Sequence, residues 1–140
     1  MLKSPILIVE DDKDDCDLLT TALLAIGITN EFVCFQNPAE ALIYLKTTKS
    51  DTFLIISDVN MPLMNGFDFK KRINEDSKLS RKKIPFVFLS TSASTYLVNE
   101  AYDLSIQGYF QKPNDFRAMN DVVRSIIEYW RNCKHPTFYN

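Results

Sequence analysis

Glycine is scarce in this chain: three residues in 140, Gly27, Gly66 and Gly108, no two of them close together. A loop that cradles nucleotide phosphates needs several glycines and a lysine in one short stretch, so a nucleotide hydrolase of that design is excluded. Histidine is scarcer still, with His135 alone. The three cysteines, Cys16, Cys34 and Cys133, are scattered and form no CxxC pair. An odd number of separated cysteines without a secretory leader predicts reduced thiols in a cytoplasm. Cys16 and Cys34 fall at apolar positions, which predicts a core role for both. No apolar run is long enough to cross a bilayer, and Met1-Leu2-Lys3-Ser4 leads straight into a strand-like run without the form of a signal peptide. Neither sign of charge dominates. The net charge of −2 argues against nucleic acid as the main partner. What is present is the balance of a globular protein, 46% hydrophobic and 24% charged. The expectation is a single domain over 1–140, with a core of about 5–130 and a tail at 133–140.

Hydrophobic patterning along the chain alternates between two periods. Short apolar runs at Pro5-Ile6-Leu7-Ile8-Val9, Glu31–Phe35, Phe53–Ser57, Ile84–Leu89 and Gly108–Gln111 predict five strands. Between them lie helical stripes: Cys16, Leu19, Leu23 and Ile26, closed by Gly27; then Ala39, Leu42 and Leu45 after the Asn37-Pro38 start; then Phe69 and Ile73 after Gly66. A short helix is expected over about Thr95–Leu104. A last one, capped by Asn114, carries Phe116, Met119, Val123, Ile126 and Trp130. The basic segment 74–83 reads as a solvated helix end and loop. Strict β–α alternation with buried strands predicts a parallel sheet covered on both faces. The common five-stranded solution is a flavodoxin-like, doubly wound sheet of order 2-1-3-4-5, with strands 1 and 3 adjacent at the switch point.

In a parallel sheet all carboxyl ends share one edge, and ligands gather there. This chain places Glu10, Asp11 and Asp12 after strand 1, Asp58 after strand 3, Ser90 after strand 4 and Lys112 after strand 5. Carboxylates crowded together need a proton or a cation. Hard oxygen ligands with no His or Cys beside them favour Mg²⁺, with Mn²⁺ or Ca²⁺ as substitutes. Aspartate is a phosphoryl acceptor, giving an acyl phosphate. A lysine and a hydroxyl would neutralise and hydrogen-bond the phosphoryl oxygens. Each residue alone has a plainer reading as a cap, a turn or a solvated charge, and Asp14 and Asp15 are read as solvated first-turn charges. It is their convergence on one edge that makes Asp58 the expected acceptor.

The segments Ile-Leu-Ile-Val-Glu10-Asp11-Asp12, Ser57-Asp58-Val59-Asn60-Met61-Pro62, Leu89-Ser90-Thr91-Ser92 and Gly108-Tyr109-Phe110-Gln111-Lys112-Pro113 together resemble the receiver domain of two-component response regulators. The resemblance runs from Pro5 to about Trp130. It implies Asp58 as phosphoacceptor, with Asp11 a direct metal ligand and Glu10 acting largely through water. It implies the Asn60 backbone carbonyl as a further metal ligand, Ser90 as the switch hydroxyl and Tyr109 as the aromatic switch. Lys112 is implied as the phosphoryl-binding lysine with a cis bond to Pro113, and Gly66 as the turn glycine. Asn60 and Ser92 occupy the positions that tune dephosphorylation. Glu10 stands where aspartate is commoner, and Thr91 is expected to narrow access to Asp58.

The basic segment before strand 4, the Thr91-Ser92 pair and the Ile-Ile-Glu-Tyr-Trp run resemble the small stand-alone regulators that serve phytochrome-type kinases. That resemblance implies a homodimer through helix 4 (the one expected over about Thr95–Leu104), strand 5 and helix 5 (the last helix). The implied partners are a histidine kinase or phosphotransfer protein and an unidentified downstream target. Nucleic acid and membrane are not expected as partners, the location is cytoplasmic, and the role is that of a phosphoacceptor signalling protein rather than an enzyme. His135 is read as incidental in a patternless tail. Two rival classes remain: a receiver-like module that binds partners without phosphorylation, and an α/β enzyme or flavin binder. The intact acids, Ser90 and Lys112 argue against the first. Acids in place of a Ser/Thr/Gly-rich loop after strand 1 argue against the second.

Overall fold

The structure, a computed structural model, describes residues 4–136. Met1–Lys3 and the last part of the expected tail, residues 137–140, lie outside them. Five strands, β1 (Ile6–Val9), β2 (Phe32–Phe35), β3 (Leu54–Ser57), β4 (Phe86–Ser90) and β5 (Gly108–Gln111), form one parallel sheet of order β2-β1-β3-β4-β5. Among the described residues six helices are interspersed with them: α1 (Lys13–Ala25), α2 (Pro38–Thr47), α3 (Gly66–Glu75), α4 (Ser77–Arg81), α5 (Thr95–Tyr102) and α6 (Phe116–Asn132). The expected doubly wound architecture is therefore present.

Strand parity divides the core. Side chains alternate across a strand, so Ile6 and Ile8 face α1 and α6 while Leu7 and Val9 face the other helices. The three inner strands are buried along their whole length, which is why they read as unbroken apolar runs. The edge strand β2 is half-exposed. One core joins Leu19, Leu23, Leu54, Val123 and Ile127. The other joins Leu45, Ile55, Phe69, Phe86 and Phe88, with edge-to-face ring packing between Phe86 and Phe88 at 5.1 Å.

Several local expectations are corrected. The segment 74–83, expected as a solvated helix end and loop, is largely exposed but holds a further short helix: Asp76 accepts from Lys78 N and Leu79 N, both at 2.9 Å, and caps α4, which buries Leu79 completely. A carboxylate two and three residues ahead of unpaired helix N–H groups is enough to start a turn. The last helix is capped by Asp115, not Asn114, because the Asp115 carboxylate meets Ala118 N at 2.8 Å. Cys16 is buried as expected, but Cys34 is exposed on the edge strand. The two residues are neighbours across the α1–β2 contact, with Cα atoms 6.5 Å apart. The described part of the tail is packed. His135 is 4% exposed, hydrogen-bonded to Phe53 O at 2.7 Å and stacked on the Phe53 ring at 5.2 Å. So buried a ring has no surface to offer a phosphodonor, yet it is part of the packing rather than incidental.

Candidate functional site

The last ladder bonds of the sheet put the functional side chains where they are. Glu10 N donates to Phe35 O at 3.0 Å, Asp58 N to Val9 O at 2.9 Å and Lys112 N to Ser90 O at 2.8 Å. Each residue is thus the first beyond its strand and is anchored to the neighbouring strand. The chain leaves β3 in a tight loop, 58–66, closed by Gly66 N donating to Val59 O at 2.8 Å. A Cβ on Gly66 would stand 2.2 Å from Asp58 O, so only glycine lets α3 start this close to the acceptor.

At the centre is Lys112. Its ammonium donates to Glu10 Oε1, to Asp58 Oδ2 at 3.2 Å and to Asp15 Oδ2 at 3.3 Å. Asp58 is nearly buried, and its Oδ1 accepts from Val59 N at 2.7 Å. Carboxylate oxygens of Glu10, Asp11 and Asp58 lie within 4.8 Å of one another. Burial pushes the Glu10 carboxyl up to about 8, with the Asp58 charge adding to the rise and the Lys112 hydrogen bond opposing it. Burial alone would lower Lys112, but the Glu10 hydrogen bond and the Asp58 and Glu10 charges outweigh it and hold the ammonium above the ordinary lysine range. A carboxyl driven up by burial beside another acid is relieved by a cation as well as by a proton. The all-oxygen donor set with one lysine beside it therefore fits a hard divalent metal.

The remaining expected residues surround this centre. Ser90 is fully buried and its Oγ accepts from Ser92 N at 3.2 Å. Asn60 Nδ2 donates to Ser92 Oγ at 2.9 Å, so the two side chains expected to tune dephosphorylation bridge one another across the site. Tyr109 packs against Phe88 with ring centres 5.8 Å apart, and its hydroxyl donates to Ser92 O. Burial raises the Tyr109 phenol above its usual range, opposed by its Ser90 hydrogen bond.

Asp12 is not brought into the cluster; its carboxylate caps α1, accepting from Asp14 N at 2.8 Å and Asp15 N at 3.2 Å. Asp15, read from sequence as a solvated charge, is instead in the site on Lys112. Its place in the first turn of the helix that follows the acidic end of β1 was the available signal. No peptide bond is cis among the described residues, so the Lys112–Pro113 bond is trans, contrary to expectation; the trans bond still delivers Nζ to Asp58.

The site itself is a shallow crevice. A cleft of about 320 Å³ lies elsewhere, lined by Asp51, Thr52, Arg81, Lys82, Lys83, Ile84 and Pro136, none of them in the cluster. A carboxylate at the floor of a crevice with little enclosed volume suits a group delivered from outside better than a sequestered small substrate. No described helix is long and apolar enough to cross a membrane.

Comparison with known proteins agrees with this geometry. The family model for the response regulator receiver domain matches residues 6–124. The probable methanogenesis regulatory protein FilR2 of Methanothrix harundinacea is 29% identical, over 89% of this chain and 82% of its own. Response regulator Rcp1 of Synechocystis is 28% identical, over 89% of this chain and 87% of its own. The crystal structure of the Mn²⁺-bound form of Rcp1 superposes with a TM-score of 0.81 and covers 95% of this chain and 99% of that one. The structure of the phosphorylated cyanobacterial phytochrome response regulator RcpA is 30% identical, with a TM-score of 0.83, and covers 95% of this chain and 98% of that one.

Proposed function

The chain belongs to the response regulator receiver domain family, and on that premise we propose that Asp58 takes a phosphoryl group from a phosphohistidine in a Mg²⁺-dependent reaction. The observation that carries the reading is the pairing of Asp58 with the Lys112 ammonium at 3.2 Å beside a three-carboxylate cluster. Receiver domains are signalling modules that bind a divalent metal. In this chain Glu10, Asp11, Asp58 and the Asn60 carbonyl would hold Mg²⁺, or Mn²⁺ or Ca²⁺ in its place. The cation would supply positive charge to the transferring phosphoryl oxygens.

The chain's own residues do the rest. Asp58 Oδ1 is held by Val59 N and its partner oxygen by Lys112, so the nucleophile is oriented before a donor arrives. The Asp58 carboxylate attacks phosphorus in line and the donor imidazole leaves. Lys112 follows the added charge onto the phosphoryl oxygens, and the buried Ser90 hydroxyl turns to donate to them. That movement withdraws Ser90 Oγ from Ser92 N and disturbs the loop to which the Tyr109 hydroxyl is tied. The α5–β5–α6 face thereby changes, as a two-state element biased by local charge. Tyr96 and Tyr102 on α5 and Phe116 at the start of α6 are exposed apolar side chains. They support this face as the contact for a partner or a second copy. The likeness to Rcp1 and RcpA supports a phytochrome-type histidine kinase as donor, with the whole chain 1–140 acting as one receiver domain. Self-phosphorylation from small donors and slow autodephosphorylation would be the only turnover.

The deciding experiment is intact-mass spectrometry after incubation with acetyl phosphate, with and without Mg²⁺. A Mg²⁺-dependent gain of one phosphoryl group is expected. Absence of any gain, together with absence of Mg²⁺ binding, would favour a module that binds partners without phosphorylation.

Two further results are expected. Lys112→Ala leaves metal binding largely in place but slows phosphoryl uptake by about 10- to 100-fold, the scale of one lost charge-assisted contact to the reacting group; a normal rate of labelling would remove Lys112 from the reaction. Metal affinity rises with pH up to about 8 and then levels off. Below that value Glu10 holds a proton that the cation must displace. Calorimetric titration in buffers of different ionisation enthalpy reads the released proton. The same shift makes the metal-free protein lose stability as pH rises from 4.5, the ordinary carboxyl value, to about 8, since the folded state binds the proton more tightly across that window. A pH-independent affinity with no proton release would contradict the placement of Glu10.

A further inference from the structure

We propose that Asp15 is a positioning residue that weakens the hold on a phosphoryl group at Asp58, by occupying the Lys112 donor that the group has to take. This rests on the reading of Asp58 as acceptor. An ammonium has three N–H donors. In the resting protein oxygens of three carboxyl groups meet them, from Glu10, Asp58 and Asp15. No donor is spare, so a phosphoryl oxygen arriving on Asp58 must replace one partner.

Exposure decides which partner yields. The Glu10 side chain is 5% exposed and that of Asp58 12%, whereas that of Asp15 is 44% exposed. A buried carboxyl oxygen that loses its donor is left without water to replace it. Asp15 can be rehydrated, and the loss of so exposed a pair costs little. Its backbone need not move, because Asp15 N is held by the Asp12 cap at 3.2 Å; rotation of its side chain releases the donor. Asp15 also stands outside the Glu10–Asp11–Asp58 group of carboxylate oxygens. Asp15 therefore competes with the phosphoryl group for Lys112, and it adds a negative charge at the entrance.

The test measures beryllofluoride, a phosphoryl mimic, by titration at saturating Mg²⁺. Asp15→Ala is expected to bind it about two- to fivefold more tightly than wild type, the range of an ion pair this exposed, and Asp15→Glu to return close to wild type. Asp14→Ala removes the same charge one residue away from a side chain with no bond to Lys112 and is expected to change binding less than twofold. A resting-state readout is independent of phosphorylation: the melting-temperature changes of Asp15→Ala and Lys112→Met are expected to be non-additive. Equal tightening by Asp14→Ala, or additive melting shifts, or no tightening by Asp15→Ala, overturns the inference. If wild type binds no beryllofluoride at all, the acceptor reading fails, and this inference fails with it.

Discussion

Asp58→Asn is expected to reduce phosphoryl uptake to background while leaving the fold intact. A carboxylate oxygen carries the negative charge that attacks phosphorus and can form an acyl phosphate; a neutral amide does neither. The substitution is nearly isosteric, so the contact from Val59 N, at 2.7 Å in the wild type, is retained by the amide oxygen. It also removes one carboxylate from a crowded cluster in which the Asp58 charge helps to push Glu10 up. The melting temperature of the metal-free variant is therefore expected to equal or exceed that of wild type, and Lys112 remains paired with Glu10. Mass spectrometry after acetyl phosphate treatment reads the first outcome, and thermal denaturation reads the second. Persistent labelling of the variant at another residue would move the acceptor away from Asp58. A large fall in melting temperature would mean that the carboxylate is structural.

Gly66→Ala is expected to damage both fold and site. In a helix interior alanine would be favoured over glycine by about 1 kcal/mol. Here the added methyl would meet Asp58 O at 2.2 Å, Phe88 Cε1 at 2.8 Å and Val59 Cα at 3.0 Å. Two of the three are backbone atoms that cannot rotate aside, and Phe88 is itself fully buried. Overpacking of this kind costs about 1–3 kcal/mol or more, so the clash outweighs the propensity gain. A fall in melting temperature of roughly 5–10 °C is expected for a domain of this size. Because the closest clash is with Asp58 O, relaxation displaces the acceptor loop, and Mg²⁺ affinity and labelling fall together. Wild-type stability with wild-type labelling would show that the loop yields without strain, contrary to its packing between α3 and β4.

The two variants separate chemistry from scaffold. Asp58→Asn leaves the crevice in place and removes its nucleophile, whereas Gly66→Ala leaves the nucleophile and shifts the loop that holds it. Lys112→Ala falls between them, since Lys112 is both a binding group and the counter-charge of three carboxylates.

What the sequence determined by itself was whatever is encoded at short range. An unbroken apolar run marks an inner strand, and the 3.6 period marks a helix. A polar residue directly after a strand lies on the carboxyl edge because a parallel sheet leaves it nowhere else. Glu10, Asp11, Asp58, Ser90 and Lys112 were legible on those grounds; the alternation gave a parallel sheet, and its order was expected only as the common five-stranded solution. Tertiary structure alone decided contacts that depend on how elements turn against one another. Asp15 and Lys112 are 97 residues apart, and they meet only because α1 is rotated to aim that carboxylate into the crevice. His135 is buried on Phe53, 82 residues away, through the path the chain takes after α6. Cys16 and Cys34 meet because α1 lies over the edge strand β2. Residue types and spacing carry hydrophobic period and chain direction. They do not carry the rotation of a helix about its axis, which is set by the packing of both cores at once.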